Sequence, residues 1–127
     1  MLIVRDAVLD DWAATWPFLR RIMAAGDAYC YDRGVTEKQA RCWWLSFMVD
    51  PAHAGRGVGR RTLGEHVIGW ARAQGYRAMQ FNAVVETNTR AVSLWRSLGF
   101  QILATVPEAF HHPVHGYVGL HVMHRRL

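Results

Sequence analysis

The chain has 127 residues, of which 51% are hydrophobic, and a formal net charge of +5 at pH 7. This length fits one domain, residues 1–127, with a single core, and no apolar run reaches the roughly 20 residues of a membrane span. The two cysteines, Cys30 and Cys42, have neither metal-ligand spacing nor a disulfide pattern. We therefore expect a cytoplasmic protein without a membrane partner, and the positive charge favours an anionic ligand.

The N-terminal part predicts a strand followed by a helix. Leu2–Val4 is a short apolar run, and Asp10 or Asp11 can cap a helix that extends to about residue 25. Gly26 follows as a terminator. Pro17 lies inside the pattern, so the helix either begins late, with Pro17 in its first turn, or is kinked there.

A second helix opens at Thr36–Gln39, which has the pattern of a capping box. This helix would extend to Trp43 or Leu45 and pass directly into a strand beginning at Ser46, without a turn residue. Because connections in compact domains have a median of about 4–6 residues, we predict that residues, such as a hairpin, are missing between Leu45 and Ser46. The alternative is a helix that unwinds into the strand.

A glycine-rich loop then separates a buried strand from a helix. The strand is Phe47–Val49, it breaks at Pro51, and three alternating glycines follow: Gly55, Gly57 and Gly59. A strand, a glycine loop and a helix start gather free backbone N–H groups around an anion. The spacing matches neither a Walker motif nor a dinucleotide-binding fingerprint, and on spacing alone a plain tight turn remains an alternative.

The second half alternates helices and strands, so at least two of its strands should be parallel. The predicted elements are a helix from about Leu63 to Gly75, a strand Arg77–Val85, a helix capped by Thr87 or Asn88 that ends at Leu98 before Gly99, a strand Phe100–Val106, a loop Pro107–Tyr117 and a strand Val118–His124.

Two segments together resemble the GCN5-related N-acetyltransferase (GNAT) superfamily. Val49–Leu63 is similar to its motif A, Arg/Gln-x-x-Gly-x-Gly/Ala, with Ala54, Gly57 and Gly59 on the fixed positions. Asn88–Phe100 is similar to motif B, Asn-x-x-Ala-x-x-Leu-Tyr-x-x-x-Gly-Phe. The resemblance implies an α/β (α+β) fold: a mixed central sheet with a splayed parallel strand pair, flanked by helices. Phe47–Val49 and Phe81–Val85 match that pair.

The same resemblance implies acetyl-coenzyme A as the acetyl donor, with no metal. Its pyrophosphate would lie on the amides of the glycine loop, its pantetheine arm along the Phe47–Val49 edge, and a backbone amide near Met48 or Val49 would polarise the thioester carbonyl. The implied cofactor-binding residues are Phe47, Met48, Val49, Ala54, Gly55, Arg56, Gly57, Val58, Gly59, Arg60, Asn88 and Trp95. Asn88 would combine this contact with capping its helix.

The sequence departs from the family at two functional positions. Ala54 replaces the usual Arg or Gln of motif A, which the amide cradle does not need. Trp95 replaces the tyrosine that in many members protonates the departing thiolate, and an indole N–H is not a practical acid. Either another group or water therefore protonates the thiolate, or the thiolate leaves unassisted. We interpret Trp95 as packing bulk beside the cofactor. No glutamate lies on the Phe47–Val49 strand, where several family members carry the general base. The base is left open between the missing hairpin and a set of loop residues: Glu86, Glu108, His111, His112, His115, Tyr117 and Asp27.

Asn82 is a polar residue on an otherwise apolar strand, and such residues find a partner. We predict that it binds substrate, with a structural hydrogen bond as the alternative. Asn82 and Glu86–Asn88 resemble fungal acetyltransferases that modify proline analogues, although this pattern names no substrate. The histidines from His111 to His124 lack zinc-ligand spacing. We interpret the loop that carries His111, His112 and His115 as a substrate-side loop in which histidine tunes acceptor binding, and we expect His121, which alternates on the last strand, to face solvent.

We expect an N-acetyltransferase, an acyltransferase of groups other than aminoacyl groups, that acts on the amine of a small molecule. Two alternatives are a non-catalytic acetyl-CoA-binding module and a nucleic-acid-associated basic domain. The nucleic-acid alternative is less favoured because no recognition motif accompanies the charge. Whether the chain forms a homodimer is left open.

Overall fold

The computed structural model describes residue 5 and residues 7–28, 32–41 and 62–127. In these ranges the elements in chain order are α1 Trp12–Ala25, α2 Glu37–Arg41, α3 Glu65–Ala73, β1 Ala78–Val85, α4 Thr89–Ser97, β2 Gln101–His112 and β3 Gly116–Arg126. No helix in these ranges is long and apolar enough to cross a membrane.

Helix α1 begins directly after a 3-10 turn, Leu9–Asp11. The Asp11 side chain does not cap α1 itself. It accepts hydrogen bonds from the Arg5 guanidinium at 2.6 and 2.7 Å, and these bonds lower the pKa of the Asp11 carboxyl to about 2. The alternative in which the helix starts near Pro17 is wrong, because Pro17 lies inside α1. The predicted end is confirmed: Gly26 has φ 64°, a left-handed conformation that costs glycine little.

The capping box before α2 is confirmed. The Thr36 N–H donates to Gln39 Oε1 at 2.9 Å, and the Gln39 N–H donates back to Thr36 Oγ1 at 3.4 Å. The predicted continuation of this helix to Trp43 or Leu45, and the junction at Ser46, lie outside the described residues. A small apolar cluster joins α1 to the start of α2, and its buried members are Trp12, Leu19, Met23, Val35 and Ala40.

The described sheet has the order β1-β3-β2, with antiparallel neighbours. Since β1 and β2 both run opposite to β3, they run in the same direction, as the alternation of elements predicts, although β3 separates them. The strand expected to splay from β1, Phe47–Val49, lies outside the described residues. Bulges interrupt the pairing of β1 with β3 between Phe81 and Val84.

The prediction of a loop at Pro107–Tyr117 is wrong, because most of these residues belong to β2 and β3, which form a long hairpin. Strand β2 extends to His112 and β3 begins at Gly116, so only residues 113–115 form the turn. Pro107 fits because the ladder is irregular between Val106 and Phe110, and a bulge does not need the N–H that proline lacks.

The larger core lies between the sheet and helices α3 and α4. Its buried members are Ile68, Val84, Trp95, Leu98, Phe100 and Met123. Ala91, Val92 and Trp95 of α4, and Leu98 at its C-cap, face this core at intervals that fit one side of a helix. The core therefore holds the N-terminal end of α4 next to the last residues of β1.

Candidate functional site

The described residues contain only part of the site that the sequence predicts. Phe47–Val49 and the glycine loop Ala54–Arg60 lie outside them, so their assignment to the cofactor stays a prediction. Asn82, Asn88 and Trp95 lie inside. Together with the candidate base Glu86, they place the described part of the site on β1, α4 and the turn that joins them.

Asn88 is the N-cap of α4, as the sequence predicts. Its Oδ1 accepts the Ala91 N–H at 3.1 Å, and its own N–H donates to the Val85 carbonyl at 2.9 Å. These two bonds fix the three-residue connection Glu86–Asn88, here called the β1–α4 turn. The side-chain bond satisfies one of the amides that a helix start leaves unpaired.

Trp95 belongs to the core, which confirms the packing interpretation. Its side chain is 8% exposed, and its ring centroid lies 4.3 Å from that of Phe81 and 5.4 Å from that of Phe100. Contacts of this kind join α4 to β1 and to the start of β2. That the same ring also borders the cofactor stays a prediction.

Asn82 is exposed on β1, and its Oδ1 accepts a hydrogen bond from Gln80 Nε2 at 2.7 Å. The structural alternative, a hydrogen-bonded asparagine, is therefore observed. Asn82 also lies within the irregular part of β1, between Phe81 and Val84. Its amide N–H₂ group could still meet a ligand, so substrate binding stays a prediction.

Glu86 is anchored to the central strand by two hydrogen bonds. Its backbone N–H donates to the Gly119 carbonyl at 3.0 Å, and its carboxylate Oε1 accepts the Gly119 N–H. A Cβ on Gly119 would lie 3.0 Å from Glu86 Oε2 and 2.7 Å from Thr105 Cγ2. Glycine at 119 thus leaves the space that the glutamate carboxylate needs. Glu86 is a half-buried, fixed residue and not the solvated loop residue that its position in the sequence suggests.

Three further polar groups belong to this part of the structure, on the sheet face beside Gly119 and at the position after Glu86. Thr105 Oγ1 and His121 Nδ1 form a 2.8 Å hydrogen bond across β2 and β3, on the sheet face that carries Gly119. Thr87 Oγ1 is buried and has no hydrogen-bond partner within the described structure. A buried hydroxyl without a partner carries a desolvation cost of about 1–3 kcal/mol, and a bound ligand can remove it.

Sequence reasoning missed the roles of Gly119, Thr105 and Thr87. A glycine inside a strand is a signal of close approach by another group, so Gly119 could have indicated a crowded point in the sheet. Nothing in the sequence marks Thr105 as the partner of His121, because the bulge in β2 sets that register.

Of the predicted histidine loop, only residues 113–115 form a turn, the β2–β3 turn, and His112 lies at its base at the end of β2. His112 is 7% exposed, and its Nδ1 accepts the N–H groups of Val114 at 3.1 Å and His115 at 3.2 Å. Its ring lies against that of His115, with centroids 4.6 Å apart. No cluster of three or more His, Cys, Asp or Glu in the described ranges could hold a metal ion.

The family comparison matches this architecture. Residues 9–100 match the Acetyltransferase (GNAT) family. A solved GCN5-related N-acetyltransferase from Kribbella flavida has 48% sequence identity and a TM-score of 0.91, and covers 97% of this chain and 96% of its own.

Two more distant proteins are also similar. The structure of yncA from Salmonella typhimurium, a putative acetyltransferase with its cofactor acetyl-CoA, is 23% identical with a TM-score of 0.79, covering 97% of this chain and 92% of its own; it shares the fold. The curated N-acetyltransferase aca1 of Schizosaccharomyces pombe is 31% identical over 77 residues, which are 60% of this chain. The chain spans about a third of that relative, 36% of its length. The chain belongs to the GNAT acetyltransferase family.

Proposed function

We propose that this protein is an acetyl-CoA-dependent N-acetyltransferase that acts on the amine of a small molecule. The observation that carries the proposal is the β1–α4 turn. There Asn88 opens motif B, a fixed carboxylate on Glu86 lies beside it, and the buried Thr87 hydroxyl has no partner among the described residues. A helix start beside a carboxylate and a hydroxyl suits a reaction between an acyl donor and a cationic amine.

Two features of the chain suit acetyl-CoA. The Thr87 hydroxyl, which has no hydrogen-bond partner among the described residues, is a group to which a peptide-like arm or an acceptor can bond. The glycine loop Ala54–Arg60 would supply backbone amides to the pyrophosphate, as the resemblance implies. When bound, acetyl-CoA supplies a thioester, from which an acetyl group can pass to an amine.

The curated relative adds support for nitrogen as the acceptor atom. The fission yeast protein is called an N-acetyltransferase, and Asn82 and Glu86–Asn88 resemble fungal acetyltransferases that modify proline analogues. A compact acceptor is consistent with polar side chains concentrated within a few residues of one turn. We therefore place primary and secondary amines of small molecules first in a substrate search.

Two measurements on the purified chain test this proposal. Calorimetry with acetyl-CoA measures binding, and release of the free CoA thiol measures transfer in the presence of a panel of polyamines, amino acids and cyclic imino acids. We expect binding, and thiol release that depends on one class of amine. Binding without turnover on any amine would overturn the enzyme in favour of a non-catalytic module, and no binding would overturn both.

A glycine-loop variant tests the cradle separately. Replacement of Gly57 by leucine should abolish acetyl-CoA binding, because a side chain would block the approach of the pyrophosphate to the amides. Gly69→Leu is the matched control, since a Cβ at Gly69 meets no atom within 4 Å. Unchanged affinity in Gly57→Leu would contradict the cradle assignment.

A further inference from the structure

We propose that Glu86 is the general base of the transfer reaction and takes the proton from the acceptor ammonium at Oε2. This inference rests on the proposed N-acetyltransferase function. It assigns a role that the family motifs leave open in this chain, since neither motif A nor motif B contains Glu86.

The first support is that the carboxylate is fixed. Oε1 is held by the Gly119 N–H, and the backbone at Glu86 is held by the Gly119 carbonyl at 3.0 Å. Oε2 packs against Gly119, 3.0 Å from the position that a Cβ would occupy there. The Gly119 N–H bonds to Oε1, and no group in the described ranges donates to Oε2. One oxygen therefore positions the carboxylate, and the other can accept a proton from an amine that comes within hydrogen-bond reach.

The second support is burial. Among the acidic side chains within the described ranges, Asp11 and Glu86 are partly buried and the others are exposed. Asp11 is engaged by Arg5 at 2.6 Å, far from motif B in the sequence. Glu86 is thus the one partly buried carboxylate near α4 in this part of the chain. Partial removal of water strengthens its attraction for an ammonium group.

The third support is the surroundings of the carboxylate. At the next position, the buried Thr87 hydroxyl has no hydrogen-bond partner among the described residues, and it can accept a second N–H of an ammonium that displaces its surroundings. On the same face of β3 as Gly119, His121 has its Nδ1 engaged by Thr105 Oγ1 at 2.8 Å, and Tyr117 and Arg125 lie at the alternate positions on either side. On the helix side, the first turn of α4 carries the exposed Arg90.

In the proposed step, Oε2 of Glu86 accepts one proton from the R–NH₃⁺ acceptor. The products of this transfer are a neutral Glu86 carboxyl group and a free amine. The amine nitrogen then forms a bond to the acetyl carbon while the carbon–sulfur bond breaks. The electron pair of that bond leaves with the sulfur, and the second amine proton is lost to give the amide and the thiol. Glu86 returns its proton to solvent.

The test is the pH dependence of kcat/KM for Glu86→Gln and wild type, with the amine that gives thiol release. A glutamine Oε1 can still accept the Gly119 N–H, so we expect a thermal unfolding midpoint and an acetyl-CoA affinity close to wild type. We expect kcat/KM to fall about 10²–10⁴-fold near neutral pH. The ratio of wild-type to variant kcat/KM should shrink about tenfold per pH unit as the pH rises towards the pKa of the amine, because the fraction of amine that is already neutral in solution rises by the same factor.

The controls separate catalysis from structure. Glu65→Gln makes the same chemical change at an exposed position in the first turn of α3 and should leave the pH profile unchanged. A loss of kcat/KM in Glu86→Gln that is equal at all pH values, or no loss, would overturn the role as a base. The role would also be overturned if His121→Asn removes the fall of kcat/KM at low pH while Glu86→Gln keeps that fall. Failure of wild type to transfer to any amine is a different result, which counts against the proposed function.

Discussion

The β2–β3 turn and the β1–α4 turn both carry polar side chains next to the central strand β3, but these side chains are used differently. In the β2–β3 turn, the His112 ring nitrogen Nδ1 accepts two backbone N–H groups and the ring lies against His115. In the β1–α4 turn, one Glu86 oxygen is anchored while the Thr87 hydroxyl is buried without a partner in the described structure.

The difference separates residues that hold the fold from residues that are available to a ligand. A histidine-rich segment attracts attention in the sequence, yet its buried member completes a tight turn. The short sequence Glu86–Asn88 is less conspicuous, and it combines a fixed carboxylate, an unpaired hydroxyl and a helix start. Whether a polar group already has a hydrogen-bond partner within the fold, and not its residue type alone, decides whether it can bind a ligand or take part in a reaction.

The largest effect should come from the aromatic support beneath the β1–α4 turn. Trp95→Ala removes a ring that is 8% exposed and contacts Phe81 and Phe100, so we expect a loss of about 3–5 kcal/mol in the free energy of unfolding. Urea unfolding measures it. Trp70→Ala is the control, because Trp70 is 54% exposed and should cost much less; equal losses would contradict this account of the core.

The next effect tests the β2–β3 turn. His112→Ala leaves the N–H groups of Val114 and His115 without their acceptor, so we expect a loss of about 1–3 kcal/mol in the free energy of unfolding. Acetyl transfer under conditions where the variant is folded should stay within a few-fold of wild type. His111→Ala, at an exposed position, is the control. A large drop in transfer rate without a stability loss would move this turn into the site.

A smaller effect should follow from the helix cap. Asn88→Ala removes the acceptor for the Ala91 N–H and should cost about 1 kcal/mol of stability. Asn88→Asp keeps a capping oxygen and should retain that stability. Calorimetry then measures the acetyl-CoA affinity of both variants and isolates the proposed cofactor contact. If the affinity falls in Asn88→Ala and is retained in Asn88→Asp, it changes only with the cap, and Asn88 acts through the helix alone.

The smallest stability effect should occur at Thr87, where the sign is informative. Thr87→Val replaces a buried hydroxyl that has no partner among the described residues with a methyl group of the same shape. We expect a gain of up to about 1 kcal/mol in the ligand-free protein, together with weaker binding of the cofactor or a higher KM for the amine. A clear loss of stability would show that the hydroxyl is already satisfied in the fold.

The fold around motif B was largely predictable because its signals are local. Asn88, Gly75 and Gly99 mark helix ends, and the capping box at Thr36 marks another. The hairpin was not predictable, because Pro107, Pro113 and Gly116 are residues typical of a loop. The strand appears only through the long-range pairing of β2 with β3, from Gln101 to His112. The anchoring of Glu86 was also hidden, since it depends on Gly119, which is 33 positions away along the chain. Local patterns indicated the elements, and long-range pairing determined which polar groups meet.

The most direct test of where this chain binds its donor is a backbone amide NMR titration with acetyl-CoA. Binding of acetyl-CoA would change the hydrogen bonds of the β1–α4 turn. In the β2–β3 turn, the amides of Val114 and His115 already donate to His112 Nδ1. We predict large shift changes for the amides of Glu86–Ala91 and small changes for those of His112–Gly116. Large changes confined to His112–Gly116, with Glu86–Ala91 unaffected, would contradict the assignment of the site.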